Sequence, residues 1–180
     1  MGSIGTGKTH LACATLQTLA HHRFPEKAGF YTPVGYRVRY ATSAEIIRNL
    51  RGTWRRDSDT SEEQVLSDLV AYHLLAIDEI GVGFGTEGER AQLSELIDAR
   101  YRAKRPTLII TNLDRTGLSE WIGERACDRL REDDGLVAVF DWESYRLKAP
   151  ILGTPPRGAE GGSTRHGEAG ATVTRAARGD

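Results

Sequence analysis

The chain has 180 residues, of which 39% are hydrophobic, enough for one core of ordinary size. Its formal net charge of −1 gives no bulk attraction to nucleic acid, so such contacts would need local clusters of cations. The absence of an apolar run of about 18 residues predicts no membrane span, and the sequence begins with no secretion-signal pattern. Cys13 and Cys127 match no metal-binding spacing, and we expect reduced thiols in the cytoplasm.

Helical and strand patterns alternate along residues 1–150. Apolar spacing and capping residues predict helices over 9–20, 44–50, 62–71, 87–103 and 118–131. Alternating or continuous apolar runs predict strands over 36–42, 73–80, 107–111 and 136–142. The expected N-caps are Ser43 for the second helix and Thr60 or Ser61 for the third. This alternation indicates an α/β fold with a parallel sheet.

Two segments have the composition of irregular chain. Residues 24–36 contain two prolines and two glycines and are expected to form a loop or a short irregular strand. From Gly153 onward the chain has no aromatic residue and holds seven of the 20 glycines. Such a segment buries too little apolar surface to offset its ordering entropy. The sequence therefore predicts one core over 1–150 and a disordered tail over 151–180.

The strongest motif lies at residues 2–9, GSIGTGKT, which match G-x-x-x-x-G-K-[ST]. In this pattern backbone N–H groups and a helix N-terminus surround a phosphate. The lysine reaches the β- and γ-phosphates, and the final hydroxyl ligates Mg²⁺. The alternative is a plain glycine-rich turn. The residues expected to bind ATP are Gly2, Gly5, Thr6, Gly7, Lys8 and Thr9.

Polar residues end two predicted buried strands. Asp78 and Glu79 follow an apolar run, and we expect Asp78 to bind Mg²⁺ and Glu79 to activate the attacking water. Asn112 ends the next strand, where it would sense the γ-phosphate and orient that water. The alternatives are solvated acids at a strand end and an ordinary turn asparagine.

Six blocks of sequence resemble the AAA+ family, and more narrowly the DnaC-type replicative helicase loaders and their IstB-like relatives. The blocks are GTGKTHLA (5–12), TSEEQVLSDL (60–69), LLAIDEIGV (74–82), KRPTLIITN (104–112), GERACDRLR (123–131) and FDWESYR (140–146). The resemblance implies a three-layer P-loop NTPase fold that binds ATP and Mg²⁺. It also implies ATP hydrolysis in a homo-oligomeric ring or spiral.

The resemblance assigns roles to two arginines that spacing alone does not. Arg129 matches the arginine finger, which reaches the nucleotide of a neighbouring subunit, with Arg125 as its support. Arg146 matches the sensor-2 arginine, which contacts the nucleotide of its own subunit. A solvated basic helix face and an ordinary surface arginine are the alternatives.

In this family a helical insertion engages single-stranded DNA, and it corresponds here to residues 44–69. Its cations surround one aromatic ring, as a single strand requires. The candidate DNA contacts are Arg48, Arg51, Trp54, Arg55 and Arg56. Four acidic residues follow at once, so the alternative is a solvated charged loop with Trp54 packed in the core.

One feature departs from the family pattern. The P-loop normally follows a central strand, which the AAA+ strand order 5-1-4-3-2 places between the strands that end near Asn112 and Trp142. That strand is absent from this sequence, so we expect a gap there and a truncated core. We also expect the region by which the loaders grip the helicase to be missing here, so helicase binding is implied by the resemblance alone.

Three functions are therefore compared. The leading hypothesis is an ATP-dependent loader that places a DnaB-type replicative helicase on single-stranded DNA during replication. The second is an IstB-like transposition helper ATPase that acts on duplex DNA. The third is a remnant of a loader that no longer hydrolyses ATP.

Overall fold

A computed structural model describes residues 1–21, 36–55, 57–82, 85–132, 135–145 and, for the backbone alone, 172–175. The helices are α1 Lys8–His21, α2 Ser43–Gly52, α3 Glu62–Ala71, α4 Glu87–Arg102, α5 Arg115–Ile122 and α6 Glu124–Arg131. The strands are β1 Val38–Thr42, β2 Leu74–Ile80, β3 Thr107–Thr111, β4 Leu136–Val139 and β5 Thr172–Arg175. The predicted α/β fold is confirmed. No helix among the described residues is both long and apolar enough to cross a membrane.

The main sheet has three parallel strands in the order β1-β2-β3. Its middle strand β2 is hydrogen-bonded on both sides, and Leu75, Ala76 and Ile77 have no solvent exposure. Helix α1 packs on one face through Ala12 and Leu16, and α2 to α6 cover the other. Because all three strands are parallel, their carboxyl ends lie at one edge, where the predicted site residues gather.

Local sequence signals explain where most helices begin. Capping boxes start α2, α3 and α4 at Thr42, Ser61 and Thr86. The N-cap of α2 is therefore Thr42, and the prediction of Ser43 is wrong, because the box needs its acidic partner Glu45 three residues after the cap. Of the two residues predicted as the N-cap of α3, Thr60 and Ser61, the structure has Ser61 in that position.

The predicted helix 118–131 is two helices. Gly123 separates α5 from α6 and has φ = 88°, a conformation that side chains other than glycine rarely adopt. Its N–H donates to the carbonyl oxygen of Ser119, and this bond ends α5. The apolar spacing continues across the break, so periodicity alone predicted a single helix.

Arg100 on α4 is a fully buried cation that joins α3 to the sheet. Its guanidinium donates to the carbonyl oxygens of Leu69 at 2.6 Å, Tyr72 at 3.1 Å and Pro106 at 2.7 Å. Burial, followed by repulsion from Arg105, lowers the pKa of Arg100 to about 10, so it stays charged at neutral pH. The buried charge is stabilised by carbonyl dipoles, which makes it a structural residue.

Strand β4 lies outside the three-stranded sheet. A cleft of about 720 Å³ separates it from β3, at the position where the sequence predicts a gap. The cleft is lined by apolar residues of both strands and of the flanking helices, among them Leu11, Ile97, Leu108, Ile110, Leu130 and Val137. The described residues thus form two separate sheets, one of β1 to β3 and one of β4 and β5.

Two segments pair with β4 on opposite edges. Met1 donates its ammonium to the carbonyl oxygen of Ala138 at 2.7 Å and accepts from the N–H of Phe140 at 2.8 Å, so it lies opposite Val139. Strand β5 runs antiparallel to β4 and places Thr172 opposite the same Val139. Since two residues cannot occupy one position, β5 lies on the far edge of β4.

Strand β5 belongs to the segment 151–180 that the sequence predicts to be a disordered tail. Its β-branched residues Thr172 and Val173 suit a strand. The other residues of the tail lie outside the described part of the chain, as do residues 24–35 of the predicted loop.

Candidate nucleotide-binding site

The P-loop residues form a tight turn that leads into α1. Gly2, Gly5 and Gly7 have φ values of 138°, 81° and 93°. At Gly2 a Cβ atom would lie 2.1 Å from the carbonyl oxygen of Phe140, so only glycine fits against the chain after β4. Helix α1 begins at Lys8 and directs its free N–H groups and its positive dipole end toward the loop. This is the arrangement that binds phosphate groups.

Lys8 folds back over its own loop. Its Nζ donates to the carbonyl oxygens of Gly2 at 2.7 Å and Ser3 at 2.6 Å. Burial lowers the pKa of the Lys8 ammonium from its ordinary value, and the nearby Asp78 carboxylate opposes that shift. Thr6 is buried and donates its hydroxyl to Ser3 at 2.9 Å. Carbonyl oxygens of the loop therefore hold the Lys8 ammonium against the loop itself.

Asp78 is buried at the end of β2 and faces α1. Its Oδ2 accepts hydrogen bonds from the Thr9 hydroxyl at 2.6 Å and from the Tyr40 hydroxyl at 2.8 Å. Its Oδ1 accepts from the backbone N–H of Glu79 at 2.7 Å. The structure thus brings Thr9 and Asp78, 69 residues apart in sequence, into direct contact.

Glu79 and Asn112 lie at the same edge of the sheet. Glu79 has φ = 61°, an uncommon conformation for a residue with a side chain, and it lies where the register of β2 and β3 shifts. At this irregular position of β2 the Glu79 side chain is exposed, whereas the adjacent Asp78 is buried. The exposed Asn112 directly follows β3. Both side chains are thus exposed where neighbouring parallel strands end.

The oxygen donors at this edge suit a magnesium ion. A carboxylate and a hydroxyl that touch each other are hard ligands of the kind Mg²⁺ prefers, and Mg²⁺ takes its other ligands from phosphates and water. Within the described ranges no three His, Cys, Asp or Glu side chains cluster closely enough to hold a metal by themselves. Thr9 and Asp78 would hold Mg²⁺ together with phosphate oxygens of a bound nucleotide and water.

The sequence assigned no role in this site to four residues that shape it. Trp142 donates its Nε1 hydrogen to the carbonyl oxygen of Thr6 at 3.1 Å, and the N–H of Tyr145 donates to Gly5 at 3.0 Å. Ser43 donates its hydroxyl to the carbonyl oxygen of Glu79 at 3.1 Å. Tyr40 contacts Asp78 as described. These contacts join distant parts of the chain, and periodicity carries no signal for them.

The candidate arginine finger is held within its own chain. Arg129 lies 3.6 Å from Asp98 and 3.3 Å from Glu132, and its guanidinium stacks on the ring of Tyr101. Arg125 is more exposed and pairs with the same Asp98 at 2.9 Å. The two arginines share a helix face, as their spacing indicates. The candidate sensor-2 residue Arg146 lies outside the described residues.

The candidate DNA contacts lie on α2 and the chain that follows it. The exposed fraction of Trp54 is 64%, so the alternative of a tryptophan packed in the core is wrong. Its Nε1 donates to Glu62 at 2.9 Å, which fixes the ring at the surface. Arg51 pairs with Glu89 at 3.0 Å. Arg48 and Arg55 are exposed, and Arg56 is outside the described part of the chain.

The parallel sheet between helical layers, with a P-loop and an acidic strand end at its edge, defines a P-loop nucleotide-binding protein. Comparison with solved structures identifies the AAA+ fold. A DnaC helicase loader crystal structure matches with TM-score 0.60 and 24% identity, covering 79% of this chain and 75% of that one. The replication initiator DnaA bound to AMPPCP and single-stranded DNA matches with TM-score 0.58 and 18% identity, covering 79% and 38%.

The particular family follows from the sequence comparisons. The model of the family described as "IstB-like ATP binding protein" matches residues 1–151, and the chain belongs to that family. The replicative helicase loader DnaC of Escherichia coli strain K12 is 38% identical over 147 residues, which are 82% of this chain and 55% of that protein. The DnaC of Buchnera aphidicola from Acyrthosiphon pisum is 36% identical over 145 residues, 81% and 54%. The chain therefore spans about half the length of these curated relatives.

Proposed function

We propose that the chain binds ATP·Mg²⁺ at its P-loop and hydrolyses the ATP as part of a helicase loader. The observation that carries the proposal is the 2.6 Å contact between Thr9 and Asp78, which joins the two halves of a nucleotide site. Lys8 and the α1 N-terminus bind the phosphates, and Thr9 with Asp78 holds the metal ion. When bound, Mg²⁺ neutralises charge that develops on the transferred phosphoryl group.

In this proposal Glu79 is the base that activates water, and Asn112 orients it. Glu79 is exposed at the sheet edge beside the buried Asp78, so the two adjacent carboxylates are suited to different tasks. We expect Glu79→Gln to lower turnover by about 10²- to 10⁴-fold with ATP affinity unchanged. An ATPase assay and a binding titration on one preparation measure both. Equal turnover by the wild-type chain and by Glu79→Gln would contradict the role of Glu79.

The proposed oligomer uses Arg129 in a neighbouring subunit, so in assembly the arginine must leave its own Asp98. Two inactive variants can test this. Glu79→Gln retains the finger and Arg129→Ala retains the base, so a mixture forms interfaces that contain both. We expect each variant alone to be inactive and the mixture to recover ATPase activity. Failure to recover activity, with both variants folded, would refute a finger acting between subunits.

We further propose that the α2 surface binds single-stranded DNA while a DnaB-type helicase is placed on it in the cytoplasm. Exposed Trp54 offers a stacking platform, and the exposed Arg48 and Arg55 offer positive charge for the backbone of a single strand. Trp54→Ala should weaken binding of an oligothymidylate about tenfold, and Arg55→Ala less. Arg102→Ala, which removes an exposed arginine of α4, is the matched control. Unchanged affinity in both test variants would contradict this interface.

The family model also favours a second candidate, an IstB-like transposition helper. Such a protein acts on duplex DNA. The two candidates differ in which DNA stimulates ATP hydrolysis: single strands for a loader, duplexes for a transposition helper. Measuring turnover with each DNA, matched for nucleotide concentration, distinguishes them.

A further inference from the structure

Tyr40 places a phenol hydroxyl against the proposed metal-binding carboxylate. It lies on β1, beside β2, and its ring packs with the apolar residues under α1, among them Ala12, Leu16 and Ala76. The hydroxyl donates to Asp78 Oδ2 at 2.8 Å. The ring is thus anchored in the core, while its polar end reaches the nucleotide site.

We propose that Tyr40 is a positioning residue for Mg²⁺, an inference that rests on the proposed ATP·Mg²⁺ site. A carboxylate turns easily about its last bond, so its direction must be fixed by hydrogen bonds. Asp78 has three donors: Glu79 N–H on Oδ1, and the hydroxyls of Thr9 and Tyr40 on Oδ2. Thr9 and Glu79 are themselves residues of the proposed site, whereas Tyr40 belongs to the neighbouring strand β1.

Thr9 and Tyr40 differ in what happens when a metal ion binds. Thr9 is a proposed ligand, and its hydroxyl oxygen can bind the cation while its O–H still donates a hydrogen bond to Asp78. Tyr40 is no proposed ligand and acts as a donor only, because its ring is held by packing under α1 and its hydroxyl meets Asp78 Oδ2 at 2.8 Å. It therefore holds Oδ2 in one direction whether or not the metal ion is bound.

Tyr40→Phe removes this hydroxyl and keeps the packed ring. Partners of metal ligands change metal affinity by about tenfold or more when they are removed. Mg²⁺ is expected to raise the affinity of the protein for ATP. In Tyr40→Phe, the Mg²⁺ concentration that gives half of this rise should be about tenfold higher than in the wild-type chain. Affinity for ATP in EDTA should stay within about twofold, because the phosphate contacts of Lys8 remain. Titration of a fluorescent ATP analogue at several Mg²⁺ concentrations measures both quantities.

Two further variants make the test decisive. Tyr36→Phe alters a tyrosine whose ring meets His73, and it should behave as wild type. Asp78→Asn should lose the Mg²⁺ effect altogether. If Asp78→Asn keeps the effect, the proposed metal site is wrong, and the role of Tyr40 is wrong with it. If Asp78→Asn loses it while Tyr40→Phe requires no more Mg²⁺ than wild type, only the inference on Tyr40 is overturned.

Discussion

The P-loop lies between two regions that are built differently. On one side is the sheet region, β1 to β3 with α1, whose middle strand is paired on both edges. On the other is the β4 region, residues 135–145 with β5, which a cleft separates from β3. The sheet region supplies the charged groups Lys8 and Asp78, whereas the β4 region holds the loop backbone through Trp142 and Tyr145. The proposed nucleotide site thus takes groups from both regions, whereas we expect the stability of the fold to depend mainly on the sheet region.

The largest effect is expected in the sheet region. Arg100→Met leaves the carbonyl oxygens of Leu69, Tyr72 and Pro106 without their buried donor. We expect a loss of about 3–5 kcal/mol in the free energy of unfolding, because the unpaired groups stay buried. Urea denaturation followed by circular dichroism measures it. Arg102→Met, on the exposed face of the same helix, should change it by less than about 0.5 kcal/mol. Equal effects of the two changes would contradict the structural role of Arg100.

Hydrogen exchange compares the two regions directly. Backbone amides of β2 should be the slowest to exchange, since that strand opens only with the whole sheet. Amides of β4 should exchange at least about tenfold faster, because β4 pairs with short segments at the side of a cleft. Exchange followed by mass spectrometry of short peptides gives both rates. Equal protection of β2 and β4 would mean that the two regions are one cooperative unit.

Trp142→Phe tests the link between the β4 region and the P-loop. The change removes the donor to the carbonyl oxygen of Thr6 and retains an aromatic ring beside Phe140. One lost hydrogen bond should weaken ATP binding by up to about tenfold. Trp121→Phe, whose ring contacts Arg90 on α4, should leave the affinity unchanged. If both variants bind ATP equally well, the β4 region does not shape the loop.

A smaller effect is expected from pH. In the proposed site Lys8 binds phosphate as an ammonium ion, and burial lowers the pKa of this group in the free protein. ATP affinity should therefore be highest near neutral pH, where Lys8 is protonated. It should fall as the pH rises through this lowered pKa, at a lower pH than an ordinary lysine would require. Binding titrations between about pH 7 and pH 10 measure the change. Lys8→Arg stays charged over this range and should show a flatter profile; an equally steep one would assign the titration to another group.

The sequence predicted the part of the site that follows from local motifs. Glycine spacing places Lys8 and Thr9 at a helix start, and an apolar run places Asp78 at a strand end, so their meeting follows from the parallel sheet. The contacts of Tyr40 and Trp142 could not be predicted, because each depends on the exact rotation of a side chain in tertiary packing. The break at Gly123 was missed because apolar spacing reports a buried face and not the continuity of the backbone.

The division of the sheet was predicted from a resemblance and not from the residues alone. Pattern reasoning identified the strand 136–142 but could not state its partners. The structure shortens that strand to Leu136–Val139 and pairs it with β5, in a segment whose composition indicated disorder. Composition measures how much apolar surface a segment can bury, whereas pairing at a sheet edge needs only backbone groups.

Binding of ATP·Mg²⁺ at the P-loop is tested most directly by calorimetric titration of the wild-type chain and of Lys8→Ala. We expect the wild-type chain to bind one ATP saturably in the presence of Mg²⁺. We expect the affinity of Lys8→Ala to be about a hundredfold lower, because this variant loses charge-assisted hydrogen bonds to the phosphates. No detectable binding by a folded wild-type chain, or equal binding by the two proteins, would contradict it.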